Sequence, residues 1–156
     1  MIVSDVKASA AAVYTTNLVK GAPLTVTKRN IANGIAQAVI CNSGNANTCN
    51  ANGIEIAEAM AELVAKELNI KADDVIVAST GVIGQPLSID PIAAGLPGLA
   101  AGLSVNGGKA AAEGIMTTDT VMKEVAVEFT VGGKTCRIGG IAKGSGMIHP
   151  NMATML

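Results

Sequence analysis

Two residue types in this 156-residue sequence could carry covalent chemistry: a threonine hydroxyl near the end, Thr154, and the three thiols of Cys41, Cys49 and Cys136. A threonine hydroxyl is a weak nucleophile until a base takes its proton. His149 is the only histidine, and Pro150 follows it directly. A histidine-based triad is therefore poorly supplied, and a polar loop residue that satisfies nearby backbone is the simpler reading of His149. A peptide bond cut ahead of Thr154 would supply a different base, the threonine's own α-amine. Ala153 is small enough to let the Thr154 hydroxyl swing back onto the Ala153 carbonyl. Attack there moves the acyl group from nitrogen to oxygen, and water then opens the ester. The freed α-amine has an ordinary pKa of about 8, so a useful fraction is neutral near pH 7 and able to accept the hydroxyl proton. The residues by themselves make this cut chemically permissible, no more.

Other chemistries find less support. Gly139 and Gly144 bracket four residues ahead of Ser145, but a phosphate-binding loop needs its lysine directly after the second glycine. Here Lys143 precedes Gly144, and Pro150 disfavours the helix that should follow. No Gly-x-Gly-x-x-Gly follows a strand, so a dinucleotide site is unsupported. The cysteines are odd in number, form no CxxC pair and have only His149 as a nitrogen partner. They read as buried free thiols, and no metal is expected. The formal net charge is −1 and the longest basic run is Lys28-Arg29, which gives no footprint for nucleic acid or anionic membrane. No segment has the length of an uncharged membrane span, and Asp5 and Lys7 interrupt any signal-like opening. A cytoplasmic protein that acts on a small molecule or on another chain is the expectation.

The elements that must position these groups are legible in outline. Hydrophobic residues make up 49% of the chain, yet there are one Tyr, one Phe and no Trp, so the core rests on small aliphatic side chains and Met. Such a core suits a layered α/β body in which sheet and helices approach closely. Strand-like alternation marks residues 2–3, 12–16 and 24–27, and Met1 sits directly on such a run, as though the natural chain begins further upstream. The apolar runs 37–41 and 75–79 predict buried strands of a sheet covered on both faces. Between them, the asparagine-rich segment 42–53 reads as a turn and cap. It leads into a helix from Ile54 to about Leu68, whose apolar stripe includes Ala57, Met60, Ala61 and Val64. The second apolar run ends in Ser79-Thr80-Gly81, which presents hydroxyls and an N–H at a sheet edge. Residues 88–103 and 107–116 predict helices, interrupted at Pro97-Gly98 and at Asn106-Gly107-Gly108. A hairpin is predicted over 124–130 and 134–138 around Gly132-Gly133. No repeat or linker divides the chain, which reads as one continuous domain fragment.

The tail Lys143-Gly144-Ser145-Gly146-Met147-Ile148-His149-Pro150-Asn151-Met152-Ala153-Thr154-Met155-Leu156 resembles the self-processing motif of the ornithine acetyltransferase (glutamate N-acetyltransferase) family. Thr15-Thr16-Asn17 with Lys20 and Ala22-Pro23, the run Asn42 to Asn47, Ser79 to Gly84, and Gly114 to Asp119 resemble further family motifs in order and spacing. The resemblance implies a precursor that cleaves itself between Ala153 and Thr154, so that residues 1–153 are an α-chain portion and 154–156 the start of a β chain. It implies an α/β layered fold like that of the self-processing aminopeptidases. The implied activity, a step of arginine biosynthesis, moves acetyl from N-acetylornithine to glutamate through an acetyl-threonine on Thr154. No bound cofactor is implied, and acetyl-CoA is a co-substrate of some members. Thr80 and Gly81 match the oxyanion-hole pair, Thr117 and Lys143 match substrate-binding positions, and the implied partner is the β chain in an α2β2 assembly. The sequence departs from the pattern at both ends: residues ahead of Met1 and the β half beyond Leu156 are missing. With the bond ahead of Thr154 closed, its nitrogen is an amide, and the chain would be an inactive fragment or an unprocessed precursor. Two alternatives stay open: a hydrolase of the same threonine-nucleophile architecture, and a non-catalytic α chain that only binds its β partner.

Overall fold

The apolar runs become the two central partners of a sheet. A computed structural model of the chain describes residues 1–144. In it β2 (Ile35–Asn45) pairs in parallel with β3 (Val75–Val82), and β1 (Ile2–Ser9) pairs antiparallel on the other side of β2. A parallel pair needs a crossover, and α2 (Gly53–Leu68) supplies it between the two strands. The stripe read from the sequence, Ala57, Met60, Ala61 and Val64, is buried against Ala38, Ile40, Val75 and Val77. These strand residues are register partners, Ala38 with Val75 and Ile40 with Val77, so they share one face. Their small size lets the helix lie close to the sheet. The helix stops at Asn69, whose left-handed backbone (φ 53°) closes the last turn through its N–H to Ala65 O.

The opposite face, with Val39, Cys41, Ile76 and Ala78, is only half-buried. The expectation of a sheet covered on both faces is therefore met on one face only among the described residues. Helices α1 (Ala22–Asn30), α2 and α3 (Asp90–Ala101) all serve the core on the covered side.

Residues 24–27, expected as strand, are helical. Leu24-Thr25-Val26-Thr27 alternates like a strand, but tertiary contacts decide the outcome. Pro23 sits in the first turn, Lys28 and Arg29 in the last, and Val26 is buried in the core. Thr27 Oγ1 donates to Val77 O at 2.7 Å and accepts from Val77 N at 3.0 Å, while Asn30 Nδ2 donates to Val75 O at 3.0 Å. The helix thus satisfies the free edge of β3, which a strand of the sheet would otherwise leave open. Residues 12–16 also form no strand. Thr15 Oγ1 accepts from Asn17 N and Asn17 Oδ1 from Val19 N, each at 3.1 Å, so the polar side chains support a turn instead. Helix α3 continues through Pro97 rather than breaking there. Pro97 lies on the exposed side of the helix, and the carbonyl it leaves without an intrahelical partner is that of the half-buried Ala93.

After α4 (Gly108–Gly114), the predicted hairpin forms from β4 (Lys123–Val131) and β5 (Lys134–Ala142). Val131 pairs with Lys134 across Gly132 and Gly133, both at positive φ, as a two-residue turn requires. Every residue of β4 is exposed. A cleft of about 490 Å³ separates the hairpin from Ile2 of β1.

Candidate active site

Two structured groups carry the residues singled out by sequence, and the first lies where β2 and β3 end. Ser43 pairs with Thr80 and Gly44 with Gly81. Gly81 has φ +130°, and a Cβ there would overlap the carbonyl carbon and oxygen of Gly44 and stand 2.6 Å from Asn45 N. Only glycine fits this close backbone approach. One position earlier, Ser79 Oγ donates to Asn42 Oδ1 at 2.5 Å on the helix-covered face. Side chains alternate along a strand, so Thr80 points to the opposite, half-exposed face, beside Ser43.

The asparagine-rich segment shapes the turn that follows Gly81. Asn45 Nδ2 donates to Gln85 O at 3.0 Å, Ala46 N to Val82 O at 2.9 Å, and Gly84 N to Thr48 O at 2.8 Å. Asn47 is fully buried with φ +48°, and its Nδ2 donates to Gly53 O at 2.8 Å at the start of α2. These side chains are spent on backbone, as the turn reading expects; the cap part is not met, since Asn52, at the N-cap of α2, makes no side-chain capping bond.

The second group lies where α4 and the hairpin meet. Ser43 Oγ donates to Gly114 O at 2.8 Å, which ties the end of β2 to the segment leading into Thr117. Thr117 is exposed, and its N–H donates to Asp119 Oδ2 at 3.4 Å. Asp119 is the centre of the group. Its Oδ1 accepts from Lys123 Nζ at 2.8 Å and from Gly144 N at 2.6 Å, and its Oδ2 lies 3.4 Å from Lys143 Nζ. Lys143 Nζ also donates to Gly144 O at 2.8 Å. The Asp119 side chain is 1% exposed and that of Lys143 6%. The hydrogen bond from Lys123 is the chief reason the Asp119 carboxyl is held well below the usual carboxylate range; burial opposes the shift, and Gly144 N, Thr117 N and Lys143 add to it.

Of the residues expected to act, Thr117 and Lys143 are brought together through Asp119, while from the Thr80 and Gly81 group Ser43 reaches Gly114, at the end of α4. Ala153, Thr154 and His149 lie outside the described residues. Lys143 is buried and paired, unlike an ordinary solvated lysine. Asp119 is the participant that sequence reasoning missed. It sits in the motif Gly114 to Asp119, but a lone aspartate after two threonines looks like a turn residue. The thiols depart from expectation: Cys49 is exposed and Cys136 half-buried, each belonging to a loop or hairpin rather than the core. Cys41 is half-buried, and burial pushes its thiol up to about 11, so it stays protonated and inert at neutral pH. Among the described residues no cluster of His, Cys, Asp and Glu could hold a metal ion, and no helix is long and apolar enough to cross a membrane.

The whole chain, residues 1–156, matches the model of the ArgJ family. It is 54% identical over 157 residues to the arginine biosynthesis bifunctional protein ArgJ of Symbiobacterium thermophilum, an alignment that covers 100% of this chain and 39% of the relative. To ArgJ 1 of a Nostoc species it is 52% identical over 158 residues, covering 100% of this chain and 38% of the relative. The chain thus spans about two fifths of the length of the curated relatives it matches. Among solved structures, the arginine biosynthesis bifunctional protein of Bacillus halodurans superposes with a TM-score of 0.88 at 47% identity, covering 97% of this chain and 80% of that one. Ornithine acetyltransferase of Mycobacterium tuberculosis, solved in complex with ornithine, gives a TM-score of 0.84 at 38% identity, covering 95% of this chain and 78% of that one. Sequence and fold agree, and the chain belongs to the ArgJ family.

Proposed function

We propose that this chain is the leading part of an acetyltransferase of arginine biosynthesis, which moves acetyl from N-acetylornithine to glutamate and matures by cutting itself between Ala153 and Thr154. The observation that carries the reading is the family match through residue 156, which takes in Ala153-Thr154 together with Thr80, Gly81, Thr117 and Lys143.

In the precursor, Thr154 Oγ adds to the Ala153 carbonyl, the C–N bond breaks, and water hydrolyses the resulting ester to leave a free α-amine on Thr154. That amine takes the Oγ proton while Oγ attacks the acetyl carbonyl of N-acetylornithine. Negative charge then develops on the carbonyl oxygen, where the Thr80 hydroxyl and the Gly81 N–H donate. Collapse breaks the acetyl C–N bond, the leaving amine takes the proton, and ornithine departs. The α-amine of glutamate attacks the acetyl-threonine ester, Oγ recovers its proton, and N-acetylglutamate leaves. No step needs a bound cofactor. Lys143 is an ammonium suited to the carboxylate of each amino-acid substrate, and Thr117 a neighbouring contact. The partner is the β chain of the same precursor, assembled as α2β2, and the setting is cytoplasmic.

Mass spectrometry of the full-length precursor is expected to reveal a new N-terminal threonine at Thr154, and Thr154→Ala to abolish cleavage and transfer together. An uncut protein with full activity overturns the proposal. Thr80→Val is expected to slow transfer on the order of a hundredfold. Acetate released at the same rate with and without glutamate would make the enzyme a hydrolase instead. Supplying acetyl-CoA in place of N-acetylornithine decides whether it is a second acetyl donor.

A further inference from the structure

We propose that Asp119 is a positioning residue for substrate binding: its buried carboxylate fixes the Lys143 ammonium beside the Thr117 backbone, and by sharing itself with Lys123 leaves the cluster one positive charge for a substrate carboxylate. The inference rests on the reading of Lys143 as a substrate-binding group.

A lysine with 6% of its side chain exposed needs an anionic partner, because desolvating an unpaired ammonium is costly. Among the described residues Asp119 is the carboxylate that pairs with it. The two oxygens divide the work. Oδ1 makes the short bonds, to Lys123 Nζ at 2.8 Å and Gly144 N at 2.6 Å, and these lock the carboxylate to the base of the hairpin. Oδ2 faces Lys143 Nζ at 3.4 Å, beyond a good hydrogen bond, so Lys143 is held by charge without being saturated. Thr117 N stands at the same 3.4 Å from Oδ2, an equally long contact, so both proposed substrate contacts lie beside a single anchor. Two ammonium groups and one carboxylate sum to a net positive charge. A carboxylate engaged with Lys143 alone would neutralise it and weaken its hold on an anionic ligand; Lys123 prevents that by drawing Oδ1 to itself.

The test uses the self-cleaved full-length enzyme. Asp119→Asn keeps the shape and an acceptor for Gly144 N but removes the charge. The cluster gains net positive charge, but the buried Lys143 ammonium loses the partner that fixes and stabilises it, and that loss is expected to dominate, raising KM for glutamate and for N-acetylornithine roughly tenfold with kcat within about threefold. Lys143→Met is expected to raise KM as well. If Asp119 acts through Lys143, adding Asp119→Asn to Lys143→Met changes KM by less than about twofold, because the shared interaction is already gone. A merely structural aspartate would give independent, multiplying effects, and that result overturns the inference. So does an unchanged KM in Asp119→Asn when Lys143→Met raises it. An unchanged KM in Lys143→Met overturns the reading of Lys143 and this inference with it. Should Asp119→Asn fail to fold, Lys123→Met decides, since that side chain is 43% exposed and its loss leaves a neutral Asp119 and Lys143 pair. A KM raised about threefold at unchanged kcat supports the inference; an unchanged KM overturns it.

Discussion

The sheet with its three helices and the β4–β5 hairpin are built from similar residues but end in opposite environments. In the first, Met60, Val64 and Val75 are completely buried, and even the edge of β3 is closed by Thr27 and Asn30. In the second, Val125, Val127 and Phe129 stand exposed along a two-stranded ribbon, a form that is marginal on its own in water. The difference lies in what lies against each apolar face. The sheet meets a helix stripe of matching period, whereas β4 meets solvent among the described residues. What the hairpin does bury is charge: Asp119 and Lys143 at its base are among the least exposed side chains in that half.

The sharpest way to break this comparison is a cavity in the layered half. Met60→Ala removes a side chain at the centre of the core and is expected to cost about 3 kcal/mol, read as a lowered midpoint in urea denaturation. A loss below about 1 kcal/mol would mean that the core is no better packed than the hairpin. Next in size is Thr27→Val, which keeps the shape but leaves both Val77 N and Val77 O without their partner at the sheet edge. About 2 kcal/mol is expected, accompanied by faster amide exchange at Val77 while α2 amides keep their protection.

How much of this was legible follows the same division. Periodicity found α2, and the apolar runs found β2 and β3, because burial on a fixed spacing leaves a mark on the sequence. Gly132-Gly133 marked the hairpin turn. The helix over Ala22–Asn30 was not legible, because Thr25, Val26 and Thr27 are β-formers whose role is set by a strand edge distant in the chain. Among site residues, Gly81 shows its requirement only once Gly44 is seen beside it. Asp119 closes a segment with a family resemblance, but nothing local marks its carboxylate as buried or paired. A carboxylate becomes a buried anchor only when strands bring Lys123 and Lys143 to it, and that depends on hairpin register.

A smaller effect tests the buried charge at the base of the hairpin. The folded carboxyl of Asp119 titrates below its ordinary value of 3.8, chiefly because Lys123 bonds to the ionised form. A depressed folded pKa contributes stability that is complete above the unfolded value and is lost as pH falls through the folded one. The stability gap between the wild type and Asp119→Asn is therefore expected to stay flat from about pH 7 to about pH 5 and to narrow below about pH 4. Denaturation midpoints across that range check it. A gap that persists undiminished at the acid end would assign the aspartate's contribution to hydrogen bonding by either protonation state, not to its charge.

The smallest effect concerns the exposed ribbon itself. Phe129 is the only phenylalanine in the chain, yet it is 40% exposed and lies opposite Cys136. Phe129→Ala in the chain of residues 1–156 is expected to cost about 1 kcal/mol, since the ring is only partly covered. The same change in a full-length family member that carries a phenylalanine at this position separates two explanations of the exposed ribbon. A cost near the 3 kcal/mol expected of a buried aromatic, to order of magnitude, would mean that the remaining three fifths of the protein covers this face. In that case β4 acquires its core from outside the described residues, and the contrast between the two halves becomes one between a core that is already closed and a core that is completed on assembly. An equally small cost in both would leave the hairpin a solvated arm whose function is confined to its base, where Asp119 holds Lys143.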